Sequence, residues 1–222
     1  SGVKHIVFVS SVKAVGGASS TLWTSATPPD PVDAYGISKL EAERALLGTQ
    51  SDRQPAVTVL RFPLVYGPGM KGNMLRLFRV IDQGWPIPVG TANNSRSMLF
   101  VGNATAAIKR VVDRATSPRS TDVPPGPFFV ADGPGDSTAI LVKDIAAALG
   151  APPRTIRVPP QLIGVLTRIG DPITHGRIGA ALDRLLGSLQ VDESEFQSAY
   201  DFRPPYTRTE GLAITARWFL RP

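Results

Sequence analysis

A short apolar run, Ile6-Val7-Phe8-Val9, stops at Ser10-Ser11, and a loop rich in Gly, Ser, Thr and Pro follows. Asp33-Ala34-Tyr35 then opens a helical stretch, and a second apolar run, Val57-Thr58-Val59-Leu60, comes after it. Strand and helix signals thus alternate along this stretch. This order constrains the fold to the α/β class. The chain has 222 residues, 42% of them hydrophobic, enough to bury a sizeable core in one or two domains. Its 21 Gly and 21 Pro gather in loops such as Thr27-Pro28-Pro29-Asp30-Pro31 and Val123-Pro124-Pro125-Gly126-Pro127, as many short elements require.

Strands are expected over Ile6–Ser10, Ala56–Phe62, Pro86–Val89, Met98–Phe100 and Phe128–Ala131. Helices are expected over Ala34–Leu47, Asn73–Gln83, Asn103–Ala115, Ser137–Leu149, Pro160–Ile169, Gly176–Leu186, Glu193–Tyr200 and Tyr206–Phe219. Asp33 suits the N-cap of the first helix, Ser137 or Thr138 that of the fourth, and Gly150 its C-terminal stop.

Tyr35 and Lys39 are four apart, so on a helix both side chains lie on one face, a turn from each other. An unperturbed phenol has a pKa of about 10, and a nearby cation favours its ionised form. Such a pair can exchange a proton with an alcohol near neutral pH, and a serine hydroxyl from the preceding strand can hold the same oxygen. The trio suits carbonyl–alcohol redox chemistry. Alone, Tyr-x-x-x-Lys decorates many exposed helices, so its meaning comes from the order of the elements around it.

That order, with four quoted segments, resembles the extended short-chain dehydrogenase/reductase family, the NAD-dependent epimerases and dehydratases. The segments are Phe8-Val9-Ser10-Ser11-Val12-Lys13-Ala14-Val15-Gly16, Tyr35-Gly36-Ile37-Ser38-Lys39-Leu40-Glu41-Ala42-Glu43, Leu60-Arg61-Phe62-Pro63-Leu64-Val65-Tyr66-Gly67-Pro68-Gly69, and Ser95-Arg96-Ser97-Met98-Leu99-Phe100-Val101. The tail from Leu189-Gln190-Val191-Asp192 through Phe202-Arg203-Pro204-Pro205 to Glu210-Gly211-Leu212 is similar to the family's C-terminal end. The resemblance implies a partial Rossmann-like parallel sheet with a smaller C-terminal substrate-binding domain. Residues 1–70 would be the remnant of the dinucleotide-binding domain and 71–222 mainly the substrate domain, with crossings between them.

For the site, the resemblance implies Tyr35 as general acid/base, Lys39 as its partner that also reaches the nicotinamide ribose, and Ser11 as the hydroxyl on the substrate oxygen; Ser10 would be structural. Phe62, Pro63 and Leu64 would pack on the nicotinamide of NAD or NADP. Asn73 and Arg96, with Arg184 assisting, would hold the diphosphate of a UDP-sugar, a task suited to the bidentate fork of a guanidinium. Leu64 departs from the family, since many relatives carry an asparagine there. Together, Ser10-Ser11-Val12-Lys13, Pro63-Leu64-Val65-Tyr66-Gly67-Pro68-Gly69 and Gly187-Ser188-Leu189-Gln190-Val191-Asp192 look closer to bacterial 4-keto-6-deoxy-sugar reductases than to galactose epimerases, and the resemblance implies an epimerase or a 4-keto-sugar reductase acting by hydride transfer at C4 of a UDP-sugar.

The family opens with a Gly-x-x-Gly-x-x-Gly turn and a helix N-terminus for the cofactor pyrophosphate. This chain begins at Ser1-Gly2-Val3-Lys4-His5, so the reading is the C-terminal portion of a longer enzyme, inactive as an isolated fragment. The alternative is a non-catalytic substrate-binding or assembly module. Gly67-Pro68-Gly69-Met70-Lys71-Gly72 imitates the dinucleotide fingerprint, but Pro68 removes a backbone donor, and the second strand with its acidic end is missing.

Net charge is +6, from scattered arginines rather than a basic run with interleaved aromatics, which argues against nucleic acid. With no cysteine there is no thiolate metal site, and His5 and His175 have no ligand spacing, so no metal is expected. Arg168, Asp171, Arg177, Asp183 and Arg184 interrupt the apolar region Leu162–Leu186 and argue against an integral membrane span. A cytoplasmic enzyme is the expectation, with a second copy of the chain in a homodimer as a candidate partner.

Overall fold

The computed structural model describes residues 2–48, 55–89, 94–117, 123–124, 126–156 and 187–221. The chain divides into two compact units. The first comprises Ser1–Tyr66, Ser97–Pro134 and Leu189–Arg208, and the second comprises Gly67–Arg96, Gly135–Ser188 and Thr209–Pro222. The first changeover lies between Tyr66 and Gly67, and the chain then returns to the first unit twice.

In the first unit, β1 (His5–Ser11) lies parallel to β3 (Ala56–Phe62), and β3 lies parallel to β6 (Phe128–Phe129), giving the order β1-β3-β6. Every residue of β3 after Ala56 is buried, as a central parallel strand covered on both faces demands. The 15-residue helix α1 (Ala34–Gly48) carries the crossover between β1 and β3. Strands β4 (Leu64–Tyr66) and β5 (Met98–Phe100) pair in parallel, as do β2 (Leu22–Trp23) and β7 (Gln190–Val191).

Successive residues of β6 serve opposite faces. Phe128 joins Leu60, Phe62 and Leu99 in a core completed by helices α3 (Val101–Thr116) and α5 (Ser194–Tyr200). There its ring stands edge-on to Phe196 and Tyr200, with centroids 5.9 and 5.6 Å away. Phe129 points into a second cluster with Val12, Val15, Trp23, Leu189 and Val191.

A polar thread runs through this unit. His5 Nε2 lies 3.0 Å from Thr58 Oγ1, which lies 3.0 Å from the Tyr200 hydroxyl; that hydroxyl donates to the Pro124 carbonyl at 3.0 Å. Burial lowers the His5 pKa below the ordinary imidazole value. An unfolded chain then binds more protons than the folded one just below pH ~6.5, so stability is full above that pH and falls as pH drops towards the folded value. His5→Gln should flatten this acid-side slope in urea unfolding measured at stepped pH; an unchanged slope would assign it to other groups.

The second unit holds α2 (Gly72–Asp82), α4 (Thr138–Leu149) and, after Arg208, α6 (Arg208–Phe219). Met74, Leu77, Phe78 and Ile81 recur at helical spacing and are the buried stripe of α2, with the Phe78 ring 5.7 Å from that of Phe219. Ser137 Oγ caps α4 by accepting the Ile140 N–H at 3.2 Å, and Gly150, at φ 68°, closes its other end.

Two sequence expectations change. Pro86–Val89 is not a strand: Ile87 makes an isolated bridge to Thr155, because Pro86 and Pro88 have no amide hydrogens with which to extend a ladder. The strand expected over Phe128–Ala131 ends at Phe129; further on, the Asp132 N–H turns to the Met98 carbonyl at 2.9 Å. The expected helices at 160–169 and 176–186 lie outside the described residues.

Candidate active site

The C-terminal ends of parallel strands are where α/β sheets present ligand sites. Ser11 is the last residue of β1 and is in register with Phe62, the last residue of β3. Its hydroxyl accepts the Lys13 N–H at 3.2 Å and so caps the 3-10 turn Val12–Ala14.

Helix α1 starts against that turn. Asp33 Oδ1 accepts the Gly36 N–H at 2.8 Å, the expected N-cap, and this hydrogen bond is the main reason why the Asp33 carboxyl sits below its usual pKa. Asp33 also forms an ion pair with Lys13 at 3.4 Å, half exposed and therefore worth little by itself. The contact between helix and turn is set by Gly36, where a Cβ would stand 2.2 Å from the Lys13 carbonyl oxygen.

Tyr35, on the first turn of α1, is 54% exposed. The Lys39 ammonium donates to the Val9 carbonyl of β1 at 3.1 Å and lies 5.0 Å from the Phe8 ring centroid and 5.8 Å from that of Tyr35. A phenol, an ammonium and the strand-end Ser11 thus gather around the C-terminal end of β1. Phe62 and Pro63 are buried beside this edge, while Leu64, which pairs with Met98, is exposed.

Beneath lies a network that the sequence reading passed over. Ser10, buried where Ser11 is not, donates to Glu43 Oε1 at 2.5 Å. Glu43 is gripped by Arg61 through Nε at 3.1 and 3.2 Å and through the second guanidinium nitrogen at 2.6 Å. All three residues are buried, and the Arg61 guanidinium stands 5.7 Å from the Phe129 ring centroid. The signal was available: an arginine within an otherwise apolar buried strand needs a carboxylate partner.

A second unforeseen group lies at the end of β4. Tyr66 is buried, and burial together with the Asp132 charge pushes its hydroxyl pKa well up. Asp132 accepts from the Phe100 N–H and from Asn103, each at 2.7 Å, but burial still raises its carboxyl pKa.

In the second unit, Asn73 is exposed on the first turn of α2. Arg96 exchanges backbone hydrogen bonds with Asp136 and donates through its guanidinium to the Gly187 carbonyl at 2.8 Å; burial lowers its pKa. Arg184 lies outside the described residues.

Comparison with known proteins gives the family. A family model described as "NAD dependent epimerase/dehydratase family" matches residues 1–123. The chain is 35% identical over its whole length to a "UDP-glucose 4-epimerase" of Vibrio cholerae, and spans 65% of that protein. It is 27% identical to an undecaprenyl-diphosphate-linked N-acetylglucosamine 4-epimerase of Escherichia coli O157:H7, of which it spans 66%. Among solved structures, 98% of the chain superposes on 65% of "MoeE5 in complex with UDP-glucose and NAD" with a TM-score of 0.67 and 25% identity. For its fold alone, the UDP-N-acetylglucosamine 4-epimerase of Bacillus cereus matches at TM-score 0.72 and 17% identity, with 97% of the chain and 65% of the enzyme covered. With its parallel α/β fold and a family match that spans the Ser11–Lys39 site, the chain belongs to the NAD-dependent epimerase/dehydratase family.

Proposed function

We propose that the full-length protein carrying this chain is an NAD-dependent 4-epimerase of a UDP-sugar, with Tyr35 as general acid/base, Lys39 as its cationic partner and Ser11 on the reacting oxygen. The observation that carries this reading is the seating of α1: Gly36 brings the helix onto the turn after Ser11, so that the Tyr35–Lys39 face borders the strand end. Proximity of that kind is what makes acid–base catalysis efficient.

The residues present fit the nicotinamide half of a cofactor. An ammonium anchored on the strand edge can meet ribose hydroxyls, and the exposed Leu64, backed by the buried Phe62 and Pro63, offers apolar surface for a ring. The cofactor, when bound, would accept a hydride from the sugar and return one. The first unit is then the cofactor side. In the second unit, Asn73 and Arg96 are the residues proposed for the diphosphate.

Two relatives named as 4-epimerases favour epimerisation over net reduction of a 4-keto sugar, and the catalytic family weighs against the non-catalytic module. The test is to incubate the full-length protein with NAD and UDP-glucose and to follow the sugar protons by NMR. A second C4 epimer at constant NAD is the expected outcome. Stoichiometric consumption of NADH with a 4-keto sugar would assign a reductase instead.

A further inference from the structure

The direction in which Tyr35 and Lys39 point is set by the rotation of α1 about its own axis, and three buried contacts fix that rotation. With about 100° per residue, Gly36, Leu40 and Glu43 cluster on one stripe, roughly 80–140° round from Tyr35, and all three are buried. Tyr35 and Lys39 sit on the margin of this stripe. Gly36 and Leu40 only limit how closely the helix approaches, since steric and apolar contacts are weakly directional. Glu43 is different: its two carboxylate oxygens are held by three Arg61 hydrogen bonds from β3 and one Ser10 hydrogen bond from β1.

We infer that Glu43, locked by Ser10 and Arg61, is a positioning residue that sets the rotation of α1 and thereby aims Tyr35 and Lys39 at the strand end beside Ser11. The inference rests on the catalytic reading of Tyr35 and Lys39 and adds to it the residue that orients them. The leverage is large. A helix with its side chains has a radius of about 5–6 Å, so a rotation of about 10° moves a side-chain end by about 1 Å, a displacement that can cost about 10²-fold in rate. A charge pair in this place is also an unusual choice for stability alone, because apolar residues of similar volume commonly do as well or better. The directional bonds to two different strands are what such residues would lack.

The same network separates the two serines. Ser10 is spent on Glu43, so its hydroxyl serves the helix, whereas Ser11, on the other face of β1, is left to the site side.

The experiment measures kcat and KM of the full-length protein with Ser10→Ala, Glu43→Gln and Glu43→Met/Arg61→Met, beside Tyr35→Phe, each with its melting temperature. A positioning role predicts kcat lower by about threefold for Ser10→Ala and about tenfold or more for Glu43→Gln, with KM within about twofold. It further predicts that the double methionine variant melts near the wild type yet turns over at least about tenfold more slowly. Ser10→Ala removes one hydroxyl and keeps the ion pair, so it decides the matter if the Glu43 variants fail to fold. Wild-type kcat in folded Ser10→Ala, or in either Glu43 variant that folds, overturns the inference while a slow Tyr35→Phe leaves the catalytic reading intact. Unchanged turnover in Tyr35→Phe itself removes both.

Discussion

Tyr35→Phe in the full-length protein lowers kcat by about 10²- to 10⁴-fold, the usual contribution of a positioned general acid/base. The substitution deletes one oxygen from a side chain that is 54% exposed and packs little, so the fold and melting temperature stay as they were. KM for the sugar nucleotide changes little, because the proton moves only in the transition state. Steady-state kinetics with circular dichroism alongside checks this. Turnover within about twofold of wild type would remove Tyr35 from the chemistry.

The second large effect belongs to a residue without a side chain. Gly36→Ala places a methyl group 2.2 Å from the Lys13 carbonyl oxygen, with Lys13 C at 3.0 Å and Pro31 Cβ at 3.1 Å as the next obstacles. The nearest atom is backbone, held in the turn capped by Ser11, so it cannot swing aside as a side chain would. Alanine is elsewhere the better helix former by up to about 1 kcal/mol. Here α1 must lift away from the turn instead, at a cost of about 1–3 kcal/mol in stability, as overpacking usually has. Tyr35 and Lys39 ride on the displaced turn, so kcat falls by about 10²-fold, more than the loss of stability alone implies. Urea unfolding and kinetics on the same preparation test this, and a variant as stable and as fast as wild type would show that the close approach is not needed.

Much of this was readable in the sequence, for reasons that differ by element. Helix α1 and strand β3 carry strong local signals: an Asp33 cap, a helical stretch with Gly36 in its first turn, and the strand-forming run Val57-Thr58-Val59-Leu60. The strands β2, β4 and β7 have two or three residues each and exist through their partners, so no local pattern marks them. Pro86–Val89 failed because its apolar content resembles a strand while its prolines forbid a ladder. For the candidate site, the helix face shared by Tyr35 and Lys39 and the strand-end place of Ser11 were legible from spacing and order. The Ser10–Glu43–Arg61 network was not, since its members come from β1, α1 and β3 and only the parallel register brings them together. Gly36 was read as part of a motif; its steric reason, the Lys13 carbonyl, lies 23 residues away in sequence and appears only in three dimensions.

The most direct test of the central claim is to mix NAD-loaded full-length protein rapidly with UDP-glucose and to record the near-ultraviolet absorbance of reduced nicotinamide. A transient signal is expected to form on the enzyme, to decay as the C4 epimer appears, and to be lost in Tyr35→Phe. A folded, NAD-binding protein that gives neither reduced nicotinamide nor any change at C4 with UDP-sugars would contradict it.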